Sequence, residues 1–191
     1  LAEGAVVPGL KAGNVTDRAG VAAAVRSALE GVAGRGLDRS RDVTVVVPDA
    51  AVRVLLLDFD SLPSKEAEAM PVVRFRLKKL VPFDVDSTAV SYQAMSSAKD
   101  VVRVLAVAMP KDVLDEYEGA VAAAGYQPGA VLPSTLAALA GLDESDVPVL
   151  VVNANAGSVT TAIVRAGVLL LHRSVDMGAE AEVRDRTAVH A

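Results

Sequence analysis

The sequence predicts a layered α/β or α+β fold, and three observations carry the prediction. Apolar residues make up 52% of the 191-residue chain and charged residues 23%, a composition rich enough for a core and unlike that of a disordered tail. Two segments, 43–47 and 147–152, are built almost wholly from Val and Leu. Around them strand-like and helix-like patterns alternate, and strand pairs join through short turns.

The elements follow in order. Residues 1–15 hold three Gly and one Pro and read as irregular. Asp17 reads as the N-cap of a helix whose apolar face is Val21, Ala24, Val25, Ala28, Leu29 and Val32, with Gly34 and Gly36 as its stop. Val43 to Val47 is expected as a strand buried on both sides. Pro48-Asp49 makes a turn, and Val52 to Phe59 is a second strand. Ser64 opens a helical stretch that Pro71 should split or kink before a helix from Val72 to Leu80, which Pro82 ends. Ala89 to Ala94 and Val101 to Met109 read as a hairpin around the polar segment 96–100. Lys111 to Ala124 is a helix closed by Gly125, followed by a short strand around Gln127–Leu132. A helix from Ser134 to Leu142 then starts beside Pro133. Val147 to Val152 is a strand and Asn153–Ser158 a loop. Val159 to Arg165 and Val168 to Ser174 pair around Ala166-Gly167.

Composition excludes several functions. Nineteen Lys and Arg against 24 Asp and Glu leave a net charge of −5, so the chain has no general pull on phosphate backbones or anionic lipid. Aromatics are only 3%, with no Trp, which argues against binding single-stranded nucleic acid by stacking. There is no Cys, hence no disulfide framework and no thiolate metal site. The charge-free stretch from Gly119 to Leu142 is long enough to span a bilayer, but its Gly125, Gln127, Pro128, Gly129 and Pro133 mark it as core. The chain starts at Leu1 without a signal pattern, and no obvious element closes it, so both ends are expected to be cut.

Few residues could carry catalysis. His172 and His190 have no carboxylate or second His at ligand spacing, so no zinc site is expected. There is no Gly-x-Ser-x-Gly elbow, no Gly-x-Gly-x-x-Gly and no Walker loop. Asp143-Glu144-Asp146 and Glu180-Glu182 read as exposed loops rather than acid/base pairs. Arg74, Arg76, Lys78 and Lys79 form a basic helical cluster, either a solvated face or the rim of a site for an acidic or peptide partner. The segment Asn153-Ala154-Asn155-Ala156-Gly157-Ser158-Val159-Thr160-Thr161 follows a strand. It offers small residues, backbone amides and hydroxyls, the chemistry of a phosphate cradle or of an ordinary tight turn.

Its surroundings carry a resemblance. The runs VTVVVPDAAVRVLLLDFDSLPSKEAEAMPVVRFRLKKLVPF, VSYQ, VVRVLAVAMPKDVLDEYEGAVAAAGYQPGAV and PVLVVNANAGSVTTAIVRAGVLLLHRSVDMG occur in that order. Leu62-Pro63 with Glu66, Val81-Pro82-Phe83, Ala124-Gly125-Tyr126 and Gly167, Arg173 and Gly178 are their best features. Together they resemble the PilM family of type IV pilus assembly proteins, actin-like proteins close in fold to the division protein FtsA. The resemblance covers roughly residues 1–178.

The resemblance implies a partial actin-like (ribonuclease H-like) core with an inserted α/β subdomain. Residues 1–48 and 133–146 would belong to the first core, 49–132 to the insert, and 147–191 to the opening strands of a second core. It implies a cytoplasmic scaffold, held at the inner membrane through its partner rather than by insertion, that acts with other pilus assembly proteins. The partner would be the cytoplasmic tail of a PilN-like protein, lying between first core and insert. Arg74, Arg76, Val81 and Phe83, cations beside an apolar Pro-Phe step, are the candidate contacts. ATP with Mg²⁺ would bind the full-length protein, with Asn153, Asn155, Gly157, Ser158 and Thr160 as this chain's contribution. Asn153-Ala154-Asn155 stands where the family expects Asp-x-Gly, losing a negative charge near the metal. Neither hydrolysis nor tight ATP binding is therefore expected of this chain, and it is not expected to be an enzyme. A GspL-like type II secretion protein and a phosphotransferase or ATPase of the actin and sugar-kinase superfamily are the alternatives.

Overall fold

A computed structural model describes residues 2–33, 42–98, 101–155 and 157–177. In chain order the elements are α1 (Arg18–Ala33), β1 (Asp42–Val47), a 3-10 turn (Asp49–Ala51), β2 (Arg53–Phe59), α2 (Glu66–Leu77), β3 (Thr88–Ala98) and β4 (Val101–Pro110). They continue as α3 (Lys111–Ala123), β5 (Gln127–Pro133), α4 (Ser134–Leu139), β6 (Val149–Asn155), β7 (Ser158–Arg165) and β8 (Val168–Asp176). Among the described residues the strands form a parallel pair β1-β5 and two antiparallel sheets, β2-β4-β3 and β6-β7-β8.

Asp17 caps α1 as expected, its Oδ1 accepting the Gly20 N–H at 2.8 Å. The expected stop at Gly34 and Gly36 lies outside the described residues, as do the tip of the β3-β4 hairpin at 99–100, the Glu180-Glu182 pair and His190. The hairpin between β7 and β8 turns at Ala166-Gly167, where both residues have positive φ, 48° and 71°. That is the turn sense that matches strand twist.

Four expectations change. Pro71 does not split its helix: α2 runs unbroken from Glu66 to Leu77 with Pro71 inside it. The lost hydrogen bond is outweighed by Ala69, Val73 and Leu77, which share one face and are fully buried. The second change concerns β1 and β6, which are not buried on both sides. Val47 is buried but its neighbour Val46 is 53% exposed, and Leu150 and Val152 of β6 are exposed too. Each strand is covered on one face only, so apolar composition overstated its burial. α4 ends at Leu139 rather than Leu142, where three-residue turns take over at Gly141 and Leu142. Finally, β5 falls within the range 49–132 expected as one insert, yet it pairs in parallel with β1. Its hydrogen-bond ladder ties it to the strand that precedes that range.

Two apolar clusters meet across β4. Ala106 and Ala108 point to a cluster with Leu57, Val73, Leu77 and Val85, beneath α2. Met109, and Val107 at its margin, point the other way, to Val47, Ala51, Val52, Val113 and Tyr117 beside β1 and α3. The period of two along a strand gives one element two cores to serve.

The N-terminal segment is tied to α3 by Glu116, whose carboxylate accepts the N–H groups of Gly13 (2.6 Å) and Val15 (2.9 Å). Burial works to raise this carboxyl, but the backbone N–H groups of Gly13, Val15 and Asn14 together hold it below its ordinary value. Beside it, burial and then the Glu116 charge push the Tyr117 phenol up to about 12, with its O–H donating to Asn14 Oδ1 at 3.2 Å. A depressed carboxyl contributes stability above its unfolded value of 4.5 and loses it as pH falls through the lower folded value. Amide exchange at Val15 should therefore accelerate on acidification below pH 4.5. In Glu116→Gln that acid-triggered step should be absent.

Candidate functional site

In an open α/β sheet, ligands gather beyond the carboxyl ends of parallel strands. Here those ends belong to β1 and β5, and each strand leads into a proline followed by a polar residue: Pro48-Asp49 and Pro133-Ser134. Both prolines have φ −60° and ψ 142°, so the two chains leave the sheet in the same way. The exits bring together Asp49, Ser134 and Thr135.

Asp49 is only 1% exposed. Its Oδ1 accepts the Thr135 N–H at 3.1 Å, and its Oδ2 accepts the hydroxyls of Ser134, at 3.0 Å, and of Thr135. Asn153 reaches the same point from β6. Its Nδ2 lies 3.1 Å from Asp49 Oδ2 and 3.0 Å from each of the two hydroxyl oxygens. Among the described residues no cation pairs with this carboxylate, and its burial is tolerable because several donors solvate it. The Thr135 N–H, one of those that the start of α4 could offer an anion, is thus taken by an internal one.

His172 on β8 borders this cluster. Burial pushes its imidazole down, and the Asp49 charge partly offsets that. Among the described residues its buried Nε2 has no hydrogen-bond partner.

The other residues expected to hold nucleotide are brought together, but their polar groups are engaged internally. β6 extends through Asn155 and β7 starts at Ser158, so Asn153, Ala154, Asn155 and Ser158, expected in a loop, are paired strand residues. Asn155 Oδ1 accepts the N–H groups of Gly157 (3.2 Å) and Ser158 (3.1 Å) and approaches the Ser158 hydroxyl at 3.3 Å. This is an Asx turn, in which a side chain occupies the amides a phosphate would need. Ser158 and Thr160 are buried, and the Thr160 hydroxyl donates to Ser174 Oγ at 2.9 Å.

A second feature lies on the β4 face that looks away from α2. Cross-strand pairs Ala89–Met109, Ser91–Val107 and Gln93–Leu105 succeed one another along β3 and β4. A cavity of about 140 Å³ lies at the first two pairs, walled opposite by Val47, Val131 and Pro133. A larger one, about 400 Å³, lies at Gln93, Met95 and Leu105, facing Leu132, Leu136 and Leu139 and edged by Asp143 and Glu144. The two lie in line over seven residues of β3, Ala89 to Met95, about 20 Å of extended chain. That is the reach of a short extended peptide with alternate side chains turned inward.

The four residues expected to contact a partner are elsewhere. Arg74 donates to the carbonyls of Val85 (2.7 Å) and Thr88 (3.2 Å), while Val81 and Phe83 pack at the margin of the cluster beneath α2. Arg76 is exposed. None of the four lines either cavity, because α2 covers the opposite face of the sheet. Sequence reasoning missed Asp49, Ser134, Thr135 and the β3 stripe. The repeated strand–Pro–polar step was the available signal for the first three.

The three sheets, with the parallel pair β1-β5 and the β2-β4-β3 unit between its strands in the chain, define a layered α/β fold. Among solved structures, the chain superposes on one from a PilM-PilN type IV pilus biogenesis complex with a TM-score of 0.78 at 18% identity, covering 100% of this chain and 56% of that one. Cyto-EpsL is also similar, the cytoplasmic domain of an inner-membrane component of the type II secretion system of Vibrio cholerae. There the TM-score is 0.51 at 16% identity, over 81% of this chain and 56% of that one. The chain thus spans little more than half the length of either. No family model matches the sequence, and no curated protein matches it significantly.

Proposed function

We propose that this chain is the actin-like part of a type IV pilus assembly scaffold that holds the cytoplasmic tail of a PilN-like inner-membrane partner. The observation that carries the reading is the lane over Ala89, Ser91, Gln93 and Met95, which runs between β3 and the β5-α4 segment. In this reading the insert comprises residues 53–110, and the first core keeps β1, α3, β5 and α4. Cytoplasmic tails next to a membrane anchor are rich in Lys and Arg, and Asp143 and Glu144 at the lane's wider end suit a basic flank. The protein would sit at the cytoplasmic face of the inner membrane through that tail, with other assembly proteins as further partners. Likeness to Cyto-EpsL makes a type II secretion scaffold the second reading.

Nucleotide chemistry plays little part in this proposal. The internal use of the Gly157 and Ser158 amides and of the Thr160 hydroxyl supports a chain that neither holds ATP tightly nor hydrolyses it.

The test is a calorimetric titration with a synthetic copy of a PilN cytoplasmic tail. Ser91 is exposed within the lane, so Ser91→Trp fills it without opening a core. A loss of at least about tenfold in affinity is expected, about 1.4 kcal/mol. Charge reversal at the exposed Arg76 should leave affinity unchanged; the opposite pattern would move the site to α2. Titrated with Mg-ATP, the same protein should show no binding tighter than millimolar.

A further inference from the structure

The outward face of α2 is unlike the rest of this acidic chain. Val72, Phe75, Arg76 and Lys79 fall at positions i, i+3, i+4 and i+7, forming one exposed stripe that flanks the buried Ala69, Val73 and Leu77. Leu80, in the turn that follows α2, is exposed as well. Phe75 is 65% exposed, an unusual position for an aromatic ring in a chain with only three Phe. The Lys79 ammonium stands 5.2 Å from the centre of that ring. Among the described residues no ion pair engages Arg76 or Lys79, whereas the neighbouring Lys78 is paired with Asp86 at 2.8 Å. Arg74 is spent on the Val85 and Thr88 carbonyls. The free charge on this ridge is therefore cationic, and it flanks exposed apolar tips.

We infer that the α2 ridge is a contact for an anionic membrane surface, with Phe75 and Leu80 entering the headgroup region and Arg76 and Lys79 pairing with lipid phosphates. An aromatic and an aliphatic tip ringed by cations match a bilayer interface, which offers apolar depth beneath a layer of negative charge. Two cations on a ridge give only weak attraction, about fivefold in affinity each. The contact thus works as a second signal that orients a protein already brought to the bilayer. For the nearness of a bilayer it rests on the tail-binding reading above. Its chemistry rests on α2 alone. The net charge of −5 opposes general adsorption, so attachment would be confined to this one face.

The experiment uses the whole chain with vesicles at low salt. Because the sequence has no Trp, Phe75→Trp supplies a single fluorescent reporter on an exposed site. Its emission should shift to the blue with phosphatidylglycerol vesicles and stay unchanged with phosphatidylcholine vesicles. In sedimentation, Arg76→Glu with Lys79→Glu should lower binding by at least about 25-fold, and Phe75→Ala by about fivefold. Both sites are exposed, so circular dichroism should show the variants folded. No blue shift, equal binding to both lipids, or binding unchanged by the double reversal would overturn the proposal. So would binding to soluble polyglutamate in preference to vesicles, which would mark an acidic protein as the partner. Tail binding at the lane, measured separately, survives failure of this test, and loss of tail binding with vesicle contact intact would sink only the earlier reading.

Discussion

Asp49→Ala is expected to destabilise the chain by about 3 kcal/mol, the largest effect of any polar substitution here. The carboxylate is the common acceptor for the Ser134 and Thr135 hydroxyls, the Thr135 N–H and the Asn153 amide. Removing it strands those donors in a site closed to water, and each unmet donor costs more than a made bond contributes. Asn153→Ala should cost less, about 1 kcal/mol, because Ser134 and Thr135 still solvate the carboxylate. The asymmetry is the diagnostic. Equal losses in urea denaturation would mean that the amide, not the carboxylate, organises the cluster. Asp49→Asn should fall between them, since it keeps the shape and loses the charge.

Leu77→Ala should cost about 3 kcal/mol as well, by a different route. Leu77 is fully buried among Leu57, Val73, Val85, Ala106 and Ala108. Truncation loses its transfer free energy and leaves a cavity that the surrounding strands can only partly close. Because β4 serves this cluster with Ala106 and the other with Met109, the loss should lower a single unfolding transition rather than split it in two. Fluorescence and far-UV circular dichroism, followed together in denaturant, would report the difference. A separate early transition would show that the β2-β4-β3 unit unfolds independently of the β1-β5 side.

Helix and strand positions were legible because they depend on neighbours in the chain. The Asp17 cap, the apolar stripe of α1, the β3-β4 pair and the two-residue turn at Ala166-Gly167 all follow from local spacing. The split expected at Pro71 fails for the same local reason: isolated, a proline breaks a helix, but here three buried residues on one face hold α2 together. Asn153 and Asn155 were expected at the edge of a nucleotide site, standing where the resemblance implies Asp-x-Gly. Their actual partners, Asp49 for one and the Gly157 and Ser158 amides for the other, depend on how the β6-β7 turn closes and where β6 docks.

By itself the sequence determined the class of fold, the order of elements and the absence of metal-ligand and nucleophile motifs, because periodicity, capping and composition act within a few residues. Only the tertiary structure decided which polar groups would meet and where a groove would open. Asp49 and Thr135 are 86 residues apart in the chain, and Asp49 and Asn153 are 104 apart. Their meeting is fixed by the parallel pairing of β1 with β5 and the docking of β6 beside them. The lane on β3 exists because one face of its sheet is filled by α2 and the other is left to face β5 and α4. No window of sequence holds both walls, so the lane follows from packing alone.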